Sequence, residues 1–412
     1  MSVNATKNVL VLTSTLPRWA GDPEPGFVAY LSRELARSHT VKVLAPYYPG
    51  TLRHETLFHG NDSVEVFRFR YFIPGLQSLA YDGGILAKIR HNPLNLILVP
   101  FFIAAQLYSV AKLQRQFNFD VIHAHWIIPQ GLVACIYRTL WRHSPPVIIT
   151  SHGGDLYALR GMFLNRVKRW ILSRATSVTV VSQAMRPHCI DLGCDEAKIS
   201  VRPMGVDLEK TFTPGDGTIV RHGLIFVGRL VEKKGVEYLV RAMSRLVETS
   251  PDLMLVIIGS GPDQPKLLNL THELHLDNNI EFVGSLSNTE LPDRFRAAQI
   301  AIMPSVIAES GDQEGLGLVA VEAMGCGCAV VASDLPAVRD AVLDGETGLM
   351  AIPGDATSLA EKISTLLAND DLRRRLAANG RDYALQKFDW KVVGKGYAEL
   401  LSNTPSELQR RE

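Results

Sequence analysis

At 412 residues the chain is too long for a typical single domain and suits two domains of about 200 residues each. Its formal net charge of +1 conceals an asymmetry, because residues 1–200 carry 21 Lys+Arg against 12 Asp+Glu while residues 201–412 carry 22 against 30. The basic half either attracts the acidic half or meets an anionic partner. With no nucleic-acid-binding signature in the chain, nucleic acid is not expected as that partner. Five cysteines, an odd and sparse set, argue against a disulfide framework and for a reducing, cytoplasmic setting.

In chain order, the first apolar run, Val9–Thr13, is too short for a signal-peptide core and reads as a strand. A helix pattern over 27–37 places Val28, Leu31 and Leu35 on one face. Short runs rich in Val and Ile follow at 41–45, 64–70, 121–125, 147–150 and 178–182. Such alternation of strands and helices implies a doubly wound parallel sheet. The stretch 94–110 invites a membrane-span reading, but Asn95, Pro100, Gln106 and Ser109 interrupt it, so a buried or interfacial helix is expected. His123 and His125 alternate along a strand, and we read them as facing opposite ways, which disfavours a shared metal. His152 stands at a strand end, followed by two glycines that leave the backbone open to a ligand, with Asp155 as a further candidate on the acceptor side. The segment 159–174 interleaves Arg166, Lys168, Arg169 and Arg174 with Phe163, Leu164, Val167, Trp170 and Ile171. That pattern suits a helix lying on an anionic membrane surface.

Prolines and glycines over 201–217 read as a linker. Strands then resume at 224–227, 255–258, 280–283, 300–303 and 329–332, making a second Rossmann-like domain. After the first of them Gly228 permits a sharp turn, and Arg229 and Lys234 can converge on a diphosphate. Gly259, Gly261 and Gly284 lie at strand ends and read as a floor for a nucleotide, with Val283 and Leu286 near the base. Ser305, Glu309 and Asp312 precede the most informative motif, "EGLGLVAVEAMGCG". There Gly315 and Gly317 let the backbone approach an anion at a helix start that includes Leu316 and Leu318. Glu314 and Glu322 flank that start. A carboxylate beside a phosphate is unfavourable unless it faces hydroxyls, so a sugar on one side and a ribose on the other would explain the pair. Cys326 and Cys328 read as small packing residues, and no spacing fits a zinc site.

These residues, Glu314 and Glu322 with seven between them and Ala-Met after, carry a resemblance to the retaining nucleotide-sugar glycosyltransferases of family 4. The resemblance implies the GT-B architecture, an α/β fold of two Rossmann-like domains facing a cleft: residues 1–205 on the acceptor side, 206–387 binding the nucleotide sugar, and 388–412 returning as a helix to the first domain. It implies Arg229 and Lys234 neutralising the departing diphosphate, Glu314 on the donor sugar and His152 near it. It also implies front-face transfer with retention, with no metal cofactor, to a glycan or lipid-linked acceptor, and a place for the enzyme in the cytoplasm or at the inner face of the cell membrane. Similar enzymes often carry adjacent glycines after the first strand. This chain has single ones, and Gly26 is the candidate for close approach to the diphosphate. A nucleotide-sugar epimerase of the same architecture and a non-catalytic nucleotide-sugar-binding protein are the rival readings.

Overall fold

The computed structural model describes residues 6–19, 21–22, 24, 26–58, 60–81 and 83–405. The chain divides into two compact units, one of residues 1–181, 185–204 and 390–412, the other of residues 182–184 and 205–389. Residues 205–217, expected as a linker, fold into the second unit instead. Leu208 and Phe212 are buried there, and Arg381 donates to the Leu208 carbonyl at 3.4 Å. The last seven residues of the expected C-terminal segment lie outside the described residues.

In the first unit, eight strands among the described residues form one sheet: β1 (Asn8–Leu12), β2 (Thr40–Pro46), β3 (His54–Leu57), β4 (Val64–Phe69), β5 (Val121–His125), β6 (Val147–Ser151), β7 (Ser177–Val180) and β8 (Ile199–Val201). Their order is β3-β4-β2-β1-β5-β6-β7-β8, and only the β3–β4 pair is antiparallel. Val9 to Leu12 are consecutive and fully buried, as a strand covered on both faces requires. The helix Phe27–Ala36 buries Val28, Leu31 and Leu35. The helix Trp390–Asn403 packs beside it, bringing the Trp390 ring to 6.2 Å from Tyr30. Tyr397 of that helix is buried and donates its hydroxyl to the Arg202 carbonyl at 3.0 Å.

The second unit has six strands among the described residues: β9 (Leu224–Val227), β10 (Leu255–Ile258), β11 (Ile280–Gly284), β12 (Ile300–Met303), β13 (Ala329–Ser333) and β14 (Leu349–Ala351). Their order is β11-β10-β9-β12-β13-β14, all parallel. The helix Val236–Thr249 turns Val236, Leu239, Val240, Met243 and Leu246 inward at three- and four-residue spacing, which closes one face of the sheet.

Of two helices singled out from the sequence, one differs from expectation and one, over 94–110, agrees with it. In Met162–Arg174, Ile171 and Leu172 are core residues, and Lys168, expected among the membrane-facing cations, is buried and donates to the carbonyls of Leu156 and Leu159 at 2.8 and 2.6 Å. Of its stripe, Ile171 faces the core, Leu164, Val167 and Trp170 are half-buried, and Phe163 is exposed beside Met162 at the head. The stretch 94–110 forms a 3₁₀ turn, Pro93–Ile97, and the start of the long helix Leu98–Phe117. One face of this helix, Leu98, Phe102, Gln106, Val110 and Leu113, is buried.

Candidate functional site

Parallel sheets open toward ligands at the carboxyl ends of their strands, where the strand order reverses. In the second unit this point lies between β9 and β12. The turn after β9 and the loop after β12 are bound together there. Val306 N–H donates to the Lys233 carbonyl at 2.8 Å, Glu309 N–H to the Glu232 carboxylate at 2.7 Å, and Lys233 Nζ reaches Asp312 Oδ1 at 3.1 Å. Gly235 makes this approach possible. Its φ is +63°, and a Cβ there would sit 1.9 Å from the Pro304 carbonyl oxygen.

Lys234 and Glu314 meet in this clasp, with Nζ 2.7 Å from Oε1. The Ser305 hydroxyl donates to the same oxygen at 3.3 Å. Glu314 is 7 % exposed. Burial alone would raise its pKa, but Lys234, Lys233 and the hydrogen bonds from Lys234 and Ser305 outweigh burial and hold it below the ordinary glutamate value. Glu322, half-buried on the helix Leu318–Gly325, has no such compensation. Burial pushes it up to about 7, with Lys234 opposing only in part. One lysine thus acts on two carboxyl groups, one ionised at neutral pH and the other poised to titrate.

Gly317 caps that helix with φ +94°, and a Cβ on it would meet Met303 Cε at 2.8 Å. The first N–H groups of a helix lack intrahelical acceptors, so the Gly315–Leu318 turn offers backbone donors to an anion. Leu316 is buried at 4 % exposure, so only its backbone is available to a ligand, while Leu318 is half-buried. Arg229 is exposed directly after Gly228 at the end of β9. Beside it the Gly259 N–H donates to the Gly284 carbonyl at 2.8 Å, joining the ends of β10 and β11, and Val283 and Leu286 are half-buried there. The five cysteines are free and buried, Cys326 and Cys328 among them.

In the first unit the order reverses between β1 and β5. His123 and His125 lie on the same face of β5, with ring centroids 4.4 Å apart. The expected opposite orientation is therefore corrected, since a separation of two residues along a strand returns to one face. His125 Nδ1 is 3.0 Å from His152 Nε2, with ring planes 12° apart and centroids 5.2 Å apart. Those three values together place the two rings nearly coplanar with the hydrogen bond along the line of centres. Below, His123 Nε2 contacts the Thr150 hydroxyl at 2.8 Å, and the Tyr397 ring lies 5.7 Å away. Burial lowers all three histidines, His123 to about 4 and His152 to about 3, so His152 is a neutral imidazole at neutral pH. The partnership of His125 with His152 was missed from sequence; the signal was a pair of histidines closing two adjacent strands. Among the described residues no group of three His, Cys, Asp or Glu side chains is arranged to hold a metal ion.

Two expectations in this unit need correction. Asp155 is 4 % exposed, and its carboxylate accepts from Ile127 N–H at 2.6 Å, the Ser151 hydroxyl at 2.9 Å and His152 N–H at 3.2 Å. It pins the turn after β5 to the turn after β6, which makes it a positioning residue with no face toward an acceptor. Gly26 has φ −90°, and a Cβ there would meet the Tyr30 ring at 2.8 Å, so the close approach that this glycine allows is to Tyr30.

A family model described as "Glycosyltransferase Family 4" matches residues 27–210, and one described as "Glycosyl transferases group 1" matches residues 221–383. The phosphatidyl-myo-inositol mannosyltransferase of Mycobacterium leprae is 31 % identical over 363 residues, covering 87 % of this chain and 86 % of that protein. Among solved structures, sucrose-phosphate synthase from Thermosynechococcus elongatus superposes with a TM-score of 0.76 at 23 % identity over 96 % of this chain and 98 % of that one. Anabaena HepE in complex with UDP-glucose gives 0.71 at 19 % identity over 96 % and 99 %.

Proposed function

The chain belongs to the family 4 glycosyltransferases, of GT-B architecture, and from that membership we propose that it moves a hexose from a nucleoside-diphosphate sugar to a hydroxyl acceptor with retention at the anomeric carbon. The observation that carries this reading is the Lys234–Glu314 ion pair at the β9/β12 reversal, beside the glycine turn that opens the helix bearing Glu322. An anion and a set of hydroxyls are the ligand that such a group fits.

In this reading the diphosphate takes Arg229, Lys234 and the N-terminus of the helix Leu318–Gly325, which oppose the negative charge that grows as the glycosidic bond breaks. These groups stand in place of a divalent cation. Glu322 accepts from the ribose hydroxyls and Glu314 from the donor sugar, while Gly228, Gly284, Leu286 and the Gly315–Leu318 turn complete the donor pocket. His152, neutral and oriented by His125, acts from the acceptor side as a hydrogen-bonding group. The bond from the anomeric carbon to the phosphate oxygen breaks and the bond to the acceptor oxygen forms on the same face. The acceptor proton passes to the leaving phosphate.

A glycan or lipid-linked acceptor, and a cytoplasmic enzyme peripheral at the inner face of the membrane, complete the proposal. The name of the Mycobacterium leprae relative supports the lipid acceptor, and five free cysteines support the compartment. The experiment is to incubate the protein with UDP-, GDP- and ADP-sugars and lipid or glycan acceptors, following diphosphate release and the product anomer by proton NMR. Release with a retained anomer is expected. An inverted anomer, or no release with any donor, would reject the reading.

A further inference from the structure

The helix Leu98–Phe117 is packed on the first unit's sheet by one face, yet its opposite face is not the polar surface that such a helix ordinarily shows to water. Leu94, Leu96 and Ile97 of the leading turn and Phe101 and Tyr108 of the helix are each at least 46 % exposed. The Phe72 ring packs edge-on against Phe101 at 5.1 Å, which joins the exposed Ile73 and Leu76 of the preceding loop to the same surface. Single exposed apolar residues need no explanation, whereas a contiguous set of this size marks a surface that meets something.

Charge says what that is. Residues 83–119 contain no Asp or Glu, while Lys88, Arg90, Lys112 and Arg115 are spread through them. Ile97, Phe101, Ala104, Tyr108, Lys112 and Arg115 follow one another at three- and four-residue steps, so a single stripe runs from apolar at the head of the helix to cationic at its end. Over 20 residues the helix is about 30 Å long. Neither Lys112 nor Arg115 enters an ion pair among the described residues, which leaves their charge to an outside anion. An acid-free apolar stripe bordered by cations fits the boundary between acyl chains and anionic headgroups.

Topology gives the surface a use. β4, β2, β1, β5 and β6 are parallel, so the chain leaving β4 at Phe69 emerges on the same edge of the sheet as His125 and the turn bearing His152. The loop 70–81, the helix Ile85–His91 and the turn Pro93–Ile97 come next in the chain, and they are tied together where the Ser78 hydroxyl donates to Asn95 at 2.7 Å and Asn95 to the Lys88 carbonyl at 2.9 Å. The apolar head of the stripe is therefore built on the edge that carries the acceptor-side histidines.

We propose that the outer face of Pro93–Phe117 docks on an anionic phospholipid surface. The surface rests on and deepens the membrane placement in the proposed function by naming the face that docks, and it is tested apart from transfer, because vesicle binding requires neither donor nor turnover. The test is flotation of the full chain with vesicles of phosphatidylcholine alone and of phosphatidylcholine with phosphatidylglycerol. Wild-type protein floats with the anionic vesicles at low salt and is released near 1 M salt, where the Debye length falls to roughly 3 Å. Each cation near such a surface contributes about a fivefold factor, so Lys112→Gln with Arg115→Gln lowers partitioning by about 25-fold. Ile97→Glu with Phe101→Glu lowers it by at least about tenfold, while Met162→Glu with Phe163→Glu on the helix Met162–Arg174 leaves it within about twofold. Melting curves that match wild type confirm that the exposed substitutions leave the fold intact. No flotation of the wild type, equal flotation of the Ile97/Phe101 variant, or a concentration-dependent dimer dissolved by that variant would each overturn the proposal, the last by making the face an interface between copies.

Discussion

Lys234 Nζ lies 2.7 Å from Glu314 Oε1, joining residues eighty positions apart in one buried ion pair at the reversal point of the second sheet. The two were expected to serve different parts of a donor, the lysine its diphosphate and the glutamate its sugar. Paired, each sets the orientation and charge of the other, so neither can be removed alone. Lys234→Ala is expected to lower kcat/KM by about 100-fold or more and to cost roughly 3 kcal/mol of stability, because Glu314 is left buried without its counter-ion. Adding Glu314→Gln should recover most of the melting temperature and none of the activity. Independent, additive losses in both quantities would show that the pair does not act as a unit.

Glu322 provides the pH signature. Its carboxyl group is raised to about 7 by burial, so the folded protein holds a proton that the unfolded chain releases near the ordinary glutamate value. Its contribution to stability is therefore present in acid and declines as pH rises toward 7. If the ionised form accepts from the ribose, diphosphate affinity rises between about pH 6 and 8, and binding near pH 6.5 releases a proton. Calorimetry in buffers of different ionisation enthalpy measures that proton. Glu322→Gln should abolish both the proton release and this share of the pH dependence; an unchanged profile would remove Glu322 from the site.

His152 should contribute no inflection in rate across neutral pH, because burial keeps it neutral down to about 3. His125→Leu, which removes the 3.0 Å bond, is expected to lower kcat by about tenfold with little change in KM, as befits a group that orients another. A KM effect of that size with kcat intact would assign His125 to binding instead.

How far these features were legible follows from the kind of interaction each needs. β9, β12 and β1 from Val9 onward are unbroken apolar runs, and a doubly wound sheet can be read from them. β3, with the sequence HETL, is a polar antiparallel edge, and β14 is three residues long, so neither carries a pattern. Glu314, Glu322 and the glycine turn announce a site because their chemistry is local. The inward turn of Asp155, the burial of Lys168 and the pairing of Lys234 with Glu314 depend on which backbone groups the fold brings near, and a single sequence does not state that. The misreading of His123 and His125 was of another kind, since the two-residue period of a strand already places them together.

Asp155→Ala is expected to destabilise the first unit, because Ile127 N–H, Ser151 Oγ and His152 N–H lose their acceptor, at about 1–3 kcal/mol for each group left unsatisfied. Denaturant unfolding measures the loss. Asp155→Asn keeps an oxygen acceptor and should recover part of it. Full stability of the alanine variant with lost turnover would restore Asp155 as a residue that touches substrate.

Titration calorimetry with UDP, GDP and ADP, in EDTA, on the wild type and on Arg229→Ala/Lys234→Ala/Glu314→Gln tests the donor site most directly, since the third substitution keeps the fold free of a stranded charge. At least one diphosphate should bind the wild type without metal, and the triple variant, at a matching melting temperature, should bind it about 100-fold more weakly. Binding that needs magnesium, or equal affinity in wild type and variant, would contradict the assignment of the diphosphate to Arg229 and Lys234.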